Sequence, residues 1–407
     1  MGTFLKTGLL AGVALGLLAG ATWAGGFAVR EQSAEAQGAS FAGAAAGTDG
    51  LSAMFWNPAT ISLHGDQGYT SESNAALILP FSEAEDGVGA GTPDSGNIGE
   101  LALVPASYWV YGVNDQLTIG ASMNAPFGLT TNANDGWAGA PHGDKSAVAT
   151  YNFSPTVAYE LTDWLTVAAG AQIEYMTVGL TSRVAGTQIL EADADSLGFG
   201  FTAGVLLQPT DSLDIGLGFR SSISHKLKGD GLVTAGFIPV SLQASYDSPE
   251  MVTLGVRQQV TEQLALLGGV EWTNWSRFEE LTLVNSGTGG VIGTTVENWR
   301  DGWYFSAGAE YAYSDTLTLR GGVAYEKSPV PDATRTPRVP DNDRYWLSIG
   351  ATYKFSDMMT AHVAYSHVFM DDGNINLTAG GVPPLPALSA SFEQSLDIVS
   401  AGLTIDW

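Results

Sequence analysis

Residues 399–407, the end of the chain, read VSAGLTIDW. Apolar Val399, Leu403, Ile405 and Trp407 alternate in this stretch with small or polar residues. Successive side chains of a β-strand point to opposite faces, so a period of two indicates a strand with one apolar face. The stretch therefore predicts a terminal strand of this kind.

The same alternation returns upstream, in residues 165–175, 213–220, 317–325 and 345–354. The second face of these stretches is rich in Gly, Ala, Ser and Thr, whereas a soluble β-sandwich usually pairs its apolar face with a polar, charged one. Charged residues make up only 14% of the chain, and there are 51 glycines. Because an interior glycine costs a helix about 1 kcal/mol relative to alanine, this composition disfavours long helices and favours an all-β chain.

The first 24 residues read MGTFLKTGLLAGVALGLLAGATWA and differ from the rest. Lys6 supplies a positive start, an apolar run follows, and Ala21 and Ala24 are both possible cleavage positions. The run is shorter than the ~20 apolar residues of a membrane-spanning helix. We therefore interpret residues 1–24 as a secretory signal peptide, with cleavage after Ala21 or Ala24 left open.

No later segment is an apolar run long enough for a membrane helix. Lipid cannot hydrogen-bond free backbone groups, so a membrane protein without such helices must be a closed barrel. The chain has an export signal and alternating strands, and aromatic residues lie at the ends of the apolar strand faces. These features fit an outer-membrane barrel. The sequence thus predicts an all-β transmembrane fold, an antiparallel outer-membrane β-barrel, in the outer membrane of a Gram-negative bacterium.

Turn signals divide residues 67–407 into about 14 strands, with errors of a few residues at each end. Short connections near residues 113–115, 161–163, 209–211, 261–263, 313–315 and 355–357 alternate with longer polar stretches near 130–145, 185–195, 227–248, 279–298, 327–343 and 371–390. Short periplasmic turns and long outer loops are the layout of such barrels. An aromatic C-terminal residue is what the barrel-assembly machinery recognises in many of them, so we expect Trp407 to be read by it.

Residues 25–66 precede the barrel and do not alternate. A barrel of about 14 strands encloses more space than its own side chains fill. Phe27, Phe41, Phe55 and Trp56 are too apolar for a periplasmic tail, which is the alternative. We expect the segment to be a plug, or hatch, inside the lumen.

Motifs in this segment and in the barrel resemble the FadL/TodX (OMPP1) family of outer-membrane long-chain fatty acid and hydrocarbon transporters. They are Gly26-Phe27, Glu31, Ser33, Gly38, Gly43-Ala44 and Asn57-Pro58-Ala59; Asn124-Ala125-Pro126-Phe127-Gly128-Leu129; and Ser328-Pro329-Val330-Pro331, Arg335 and residues 340–348. They are spread over the chain in the family's order. The resemblance implies capture of a hydrophobic molecule in an outer groove, transfer to an inner pocket and sideways exit into the bilayer.

Sideways exit requires a hole in the wall. Pro126 donates no ladder hydrogen bond and Gly128 leaves a side-chain gap, so we expect a lateral opening at Pro126, Phe127 and Gly128. The alternative is a simple bulge at a strand end. By resemblance, Gly128 is the family's kink glycine, and Phe27 is an apolar residue of the inner pocket.

The hatch would be fixed to the wall by Asn57, Pro58 and Ala59, Asn57 through side-chain hydrogen bonds and Pro58 through its fixed φ. A fatty carboxylate prefers a cation. In a barrel strand a charged side chain is less costly on the inward face than on the lipid face. The candidate cations are therefore the arginines in strand-like stretches, although ion pairs are the more common role for such residues. They are Arg183, Arg220, Arg257, Arg320 and Arg344.

No catalytic or metal-binding set stands out, and the chain has no cysteine, so we expect no enzyme activity, no cofactor and no bound metal. The net charge of −26 makes a nucleic-acid partner unsuitable, because phosphate contacts need cations. Hydrophobic small molecules, outer-membrane lipid and lipopolysaccharide are the expected partners of a monomer. Aromatic hydrocarbons as cargo, a general porin and a barrel lipase remain alternatives, as do divalent cations on the acidic loops.

Overall fold

The computed structural model describes residues 25–85, 94–184, 186–233, 238–380 and 384–407. The expected signal peptide and both cleavage positions lie outside these residues. In the described ranges all strands belong to one antiparallel sheet, whose first strand pairs with its last from Thr70–Asp406 to Glu85–Ser391. The sheet is therefore a closed barrel. No helix in the described chain has the length and apolarity needed to cross a membrane.

The strands alternate apolar and small or polar residues, as a wall with two different faces requires. Their bounds are β1 Tyr69–Glu85, β2 Ala102–Asn114, β3 Leu117–Asn124, β4 Gly128–Asn132, β5 Lys145–Thr162, β6 Leu165–Val184, β7 Thr187–Thr210, β8 Leu213–Arg220, β9 Ser224–Val233, β10 Ile238–Asp247, β11 Met251–Gln259, β12 Leu264–Thr273, β13 Glu280–Asn285, β14 Val291–Val296, β15 Gly302–Ser314, β16 Leu317–Lys327, β17 Arg344–Ser356, β18 Met359–Met370, β19 Gly373–Leu377 and β20 Leu388–Asp406.

These segments form fourteen wall strands in the part of the chain that the structure describes. Three wall strands are interrupted, namely β3 with β4, β8 with β9 and β10 with β11. Strands β13, β14 and β19 lie in the connections. The fourteen-stranded antiparallel barrel predicted from the sequence is confirmed.

Besides residues 371–390, which contain β19, three further stretches that the sequence analysis treated as loops contain strand. Residues 187–195 belong to β7, residues 227–247 lie mostly in β9 and β10, and residues 280–296 hold the hairpin of β13 and β14. In β7, buried Ala192 alternates with exposed Asp193 and Asp195. Acidic residues on the outer face of a strand are easily mistaken for a polar loop, so the interpretation of residues 185–195 as a loop was wrong for residues 187–195.

The outward face of the wall is apolar and the inward face is small or polar. Leu197, Phe199 and Phe201 of β7 are exposed, whereas Gln172 and Glu174 of neighbouring β6 are buried. The tight turns at Asp115-Gln116, Asp163-Trp164, Asp211-Ser212, Asp315-Thr316 and Asp357-Met358 lie at the positions that the sequence predicts.

Residues 25–67, which we call the inner segment, precede β1. They form a short helix α1, Ala34–Gln37, capped by the Ser33 hydroxyl, and the 3₁₀ turns Ala44–Ala46, Leu51–Phe55 and Pro58–Gln67. Nearly every described side chain of the segment is buried. Its contacts reach strands all round the ring, including β2, β5, β7, β11, β17 and β20, so the segment lies within the barrel.

Inward glycines let the backbone of the inner segment approach the wall. A Cβ atom at Gly216 or Gly218 of β8 would overlap the backbone of Ala45 or Trp56, and one at Gly322 of β16 would overlap Ala39. A glycine in a strand often marks such a close approach. The many glycines of the second strand face thus have a specific packing role.

Candidate functional site

The third wall strand is broken by one extra residue. Asn124 of β3 pairs with Asn152 of β5, and Gly128 of β4 pairs with Ala149. Three residues, Ala125, Pro126 and Phe127, therefore face only two on β5. This two-part strand with an additional residue is a bulge, and it lies where the sequence predicts the kink.

The break also separates the third strand from its other neighbour. Residues 107–114 of β2 pair with β3, but residues 102–106 pair only with β1 in the described chain. Contact resumes where the amide of Asn132 donates to the carbonyl of Ile98 (2.9 Å). The wall thus lacks a continuous ladder between β2 and the region around Pro126.

Residues 25–32, the N-terminal arm of the inner segment, supply hydrogen bonds to this break. The amide of Val29 donates to the carbonyl of Pro126 (2.8 Å), and the amide of Gly128 donates to the carbonyl of Phe27 (2.9 Å). The Gln32 side chain donates to the carbonyl of Ala125 (2.9 Å). The arm therefore satisfies the backbone groups of Ala125, Pro126 and Gly128, whereas the amide and the carbonyl of Phe127 are bonded to Thr150 of β5.

The Phe27 side chain lies in a buried aromatic cluster beside the break. Its ring centroid is 4.8 Å from that of Trp275 and 5.7 Å from that of Trp299. Phe127 of the break lies at 6.1 Å, with Tyr246 at 5.6 Å and Phe278 at 6.1 Å. A packed aromatic cluster therefore adjoins the kink, and we call the space that the Phe27 ring fills within it the aromatic chamber.

Four of the five candidate arginines are held in ion pairs. Arg183 pairs with Asp135 and Asp144, Arg257 with Glu310 and Asp214, Arg320 with Glu35, Asp49 and Glu310, and Arg344 with Asp341 and Glu326. Arg320 joins the wall to the inner segment, since Glu35 belongs to helix α1 and Glu310 to β15. These four guanidinium groups are engaged within the protein.

Arg220 differs from the other four. It is buried, and no carboxylate of the described residues lies within 4.0 Å of it. It donates to the Gln172 side chain (2.5 Å) and the carbonyl of Phe55 (3.2 Å), and it lies 4.4 Å above the Phe55 ring. Its cross-strand neighbour Thr202 has a buried hydroxyl without a hydrogen-bond partner. This pair is suited to an anionic oxygen from outside the protein.

Asn57 connects the inner segment to β7. Its side-chain amide donates to the carbonyl of Val205 (3.0 Å) and to that of Ala45 (2.7 Å), and its oxygen accepts from the amide of Ala59 (3.0 Å). Pro58 occupies the first position of the following 3₁₀ turn, where its missing N–H costs nothing. The anchor expected at Asn57, Pro58 and Ala59 thus lies where the inner segment is bonded to β7.

Glu31 of the arm has a buried carboxyl group whose two oxygens have no hydrogen-bond partner. Burial raises the pKa of Glu31 to about 7, against which the positive charges of Arg30 and Arg344 act. An uncharged carboxyl is less costly to bury than a carboxylate. The arm therefore carries a group that titrates near neutral pH.

We expect docking of the arm to weaken as pH rises. The pKa of Glu31 is higher in the folded than in the unfolded chain. The free energy that favours docking is therefore fully present below the pKa of the unfolded chain and decreases as the pH rises to about 7. The loss is of the order of 3 kcal/mol, since each pKa unit corresponds to about 1.4 kcal/mol. Hydrogen exchange of residues 26–32 at pH 5 and 7.5 should show it, after correction for intrinsic rates. Glu31→Gln should abolish this dependence; an unchanged dependence would contradict the assignment.

The sequence analysis identified Phe27, Asn57, Pro126 and Gly128 but missed several groups around them. It did not single out Arg30, Gln32 or Thr202, nor Trp275 and Trp299 of the aromatic cluster. The spacing of these residues carries no signal, because they meet only across the lumen. Among the described residues, no three metal-ligating side chains converge to hold an ion.

Comparisons with known proteins place this geometry in a family. Residues 15–407 match the model described as outer membrane protein transport protein (OMPP1/FadL/TodX). The long-chain fatty acid transport proteins of Escherichia coli K12 and Salmonella typhi are each 28% identical; the alignments cover 92% of this chain and 94% and 93% of those proteins.

Solved structures share the fold. A FadL homologue of Pseudomonas aeruginosa superposes with a TM-score of 0.86 at 24% identity, covering 94% of this chain and 99% of that one. The Pseudomonas putida toluene transporter TodX gives 0.67 at 16% identity, covering 89% and 95%. The closed barrel and the family match over nearly the whole length agree: this chain is an outer-membrane protein and belongs to the OMPP1/FadL/TodX family of outer membrane protein transport proteins.

Proposed function

We propose that the protein transports long-chain fatty acids or similar hydrophobic molecules across the outer membrane by lateral exit through the wall. The observation that carries the proposal is the N-terminal arm. Its backbone completes the hydrogen bonding of the break at Pro126, and its Phe27 fills the adjacent aromatic chamber. One movement of the arm would empty the chamber and release the break together.

In this mechanism the cargo leaves water for the apolar chamber, which is favourable by about 0.8 kcal/mol per buried CH₂ group. It competes with Phe27 for the same aromatic walls. Displacement of Phe27 withdraws the two backbone hydrogen bonds between the arm and residues 126–128, and the opening between β2 and the third strand gives access to lipid.

Residues 25–66 act as the hatch in this proposal, and residues 67–407 as the barrel. Asn57, Pro58 and Ala59 keep the later part of the hatch on β7, so that only the arm needs to move. Transport rather than catalysis is proposed, since the curated relatives are named as transport proteins.

Arg220 is proposed as the partner of the cargo carboxylate. Of the five candidate arginines it alone has no carboxylate within 4.0 Å in the described structure, and the Thr202 hydroxyl beside it is free to donate. A hydrogen bond to a charged group contributes roughly 1.5–3 kcal/mol.

The test measures binding and uptake of labelled oleate and of oleyl alcohol in cells that lack other fatty acid transporters. Arg220→Met should weaken oleate binding roughly 10- to 100-fold, the equivalent of that hydrogen bond, and leave oleyl alcohol unchanged. Arg257→Met, whose arginine pairs only with wall carboxylates, is the control. Equal loss for both ligands would refute the role of Arg220, and failure of the wild type to take up oleate would refute the cargo.

A second cargo class has its own support. The toluene transporter TodX shares the fold, and an aromatic chamber suits a ring as well as a chain. Toluene uptake that is insensitive to Arg220→Met would favour hydrocarbons. Passage of small sugars through the purified protein in liposomes would instead indicate a general porin.

Interaction of Trp407 with the assembly machinery, contacts with lipopolysaccharide and a monomeric state stay predictions.

A further inference from the structure

The arm is surrounded by a buried chain of alternating charges. Arg30 bridges Glu271 (2.8 Å) and Glu326 (3.4 Å). Arg344 continues the chain from Glu326 (3.8 Å) to Asp341. All five side chains are at most 7% exposed.

This chain lacks one positive charge. It contains two guanidinium groups and three carboxylates, and Glu31 beside it adds a further acid when ionised. The nearby Arg335 does not fill the deficit because it pairs with Asp332. Each carboxylate has a guanidinium partner, but the cluster carries an excess of one negative charge, and uncompensated charge is unfavourable to bury. Within the described residues, no further lysine or arginine pairs with any of the three carboxylates.

The first two residues of the arm contact two of these three carboxylates. The nitrogen of Gly25 lies 3.0 Å from Oε1 of Glu326, and the amide of Gly26 donates to Asp341 (2.9 Å). A Cβ atom on Gly25 would lie 2.7 Å from the same Glu326 oxygen. The carboxylate of Glu326 is therefore in direct contact with the first residue of the arm.

We propose that the signal peptide is removed after Ala24, and that the new α-ammonium group of Gly25 completes this buried charge chain by pairing with Glu326. Hydrolysis of the Ala24–Gly25 peptide bond consumes one water and yields a carboxylate on Ala24 and an amine on Gly25, which takes up a proton. Three cations then face three carboxylates. Cleavage after Ala21 would place three more residues between the charge and Glu326.

Processing thus creates the group that fixes the arm in the barrel. The unprocessed chain has only an uncharged amide at this position, so the arm would acquire its full electrostatic attachment after export. This inference concerns how the arm is held and does not depend on which cargo the barrel carries.

The first test is the N-terminal sequence and intact mass of the protein purified from outer membranes. A chain that begins at Gly25 is expected, and one that begins at Thr22 would overturn the proposal. The second test is the rate at which an amine-selective N-hydroxysuccinimide ester modifies the α-amine in detergent. Native protein should react at least about tenfold more slowly than unfolded protein, because a paired ammonium is a poor nucleophile and is buried.

Glu326→Gln should restore rapid modification, whereas Glu174→Gln, which removes a buried lumenal carboxylate that contacts His225, should leave it slow. Equal rates in Glu326→Gln and wild type would overturn the pairing. Should Glu326→Gln fail to assemble, ¹³C-dimethylation of the wild-type α-amine, which preserves its charge, provides an independent measurement. The amine contacts Glu326, in a cluster that also holds Asp341, Glu31, Arg30 and Arg344. It should titrate above the usual α-amino pKa of about 8; a value at or below this would count against the proposal.

Discussion

Deletion of Pro126 is expected to reduce oleate uptake by an order of magnitude or more while the barrel still assembles. Asn124 pairs with Asn152 and Gly128 with Ala149, so three residues face two across the break. Removing one residue restores equal numbers on β3–β4 and β5. The straightened third strand can then pair with residues 102–106 of β2 as well as with β5, and this continuous antiparallel ladder closes the opening between β2 and the third strand.

Pro126→Ala is the matched control. It keeps the number of residues, and with it the bulge, and should transport at a rate close to that of the wild type. Assembly is checked by the heat-dependent shift of the folded barrel on gels and by the amount in the outer membrane. Normal uptake by a well-assembled deletion variant would exclude the break as the exit.

Arg320→Met is expected to release the inner segment and make the barrel leaky. The Arg320 side chain contacts Glu35 of α1, Asp49 and the wall residue Glu310, with Thr352 as a further partner. Loss of one partner from a buried ion pair costs about 3–5 kcal/mol. Such a cost would raise the population with an undocked inner segment roughly 10²- to 10³-fold, at 1.4 kcal/mol per factor of ten.

Leakage is measured as entry of small sugars into liposomes, and release of the inner segment as protease cleavage within residues 25–67. Arg257→Met is the control, since Arg257 also pairs with Glu310 but touches only the wall. Arg320→Met combined with Glu35→Gln should recover part of the loss, because the second change removes the stranded carboxylate. A tight barrel in the single variant would show that other contacts hold the segment.

The barrel itself could be predicted from short-range pattern. Period-two alternation and turn residues are local properties, and they predict the number of wall strands and the positions of the tight turns, although not the loop-side ends of β7, β9 and β10. The kink is local as well, because Pro126 cannot donate to a ladder whatever surrounds it. The errors fell in polar stretches that form strand, such as the one with Asp193 and Asp195 in β7 and those of β9, β10, β13 and β14.

The site depended on contacts between distant parts of the chain. Arg30 is 241 residues from Glu271 in sequence, and Gly25 is 301 from Glu326. No pattern could show that Arg220 would have no carboxylate within 4.0 Å among the described residues, while Arg320 would contact three. The sequence does not distinguish these two arginines, since each comes directly after a stretch in which apolar residues alternate with small or polar ones.

By itself, the sequence determined most of the secondary structure, the closed barrel with its fourteen wall strands and the place where the ladder of the third strand is broken. These follow from the backbone's need for hydrogen bonds in lipid and from the side-chain alternation of strands. Only the tertiary structure decided which cation faces the lumen unpaired, what Phe27 occupies and where the arm is held. Those depend on the register of strands around the ring and on the path of the inner segment, which bring residues together irrespective of their spacing.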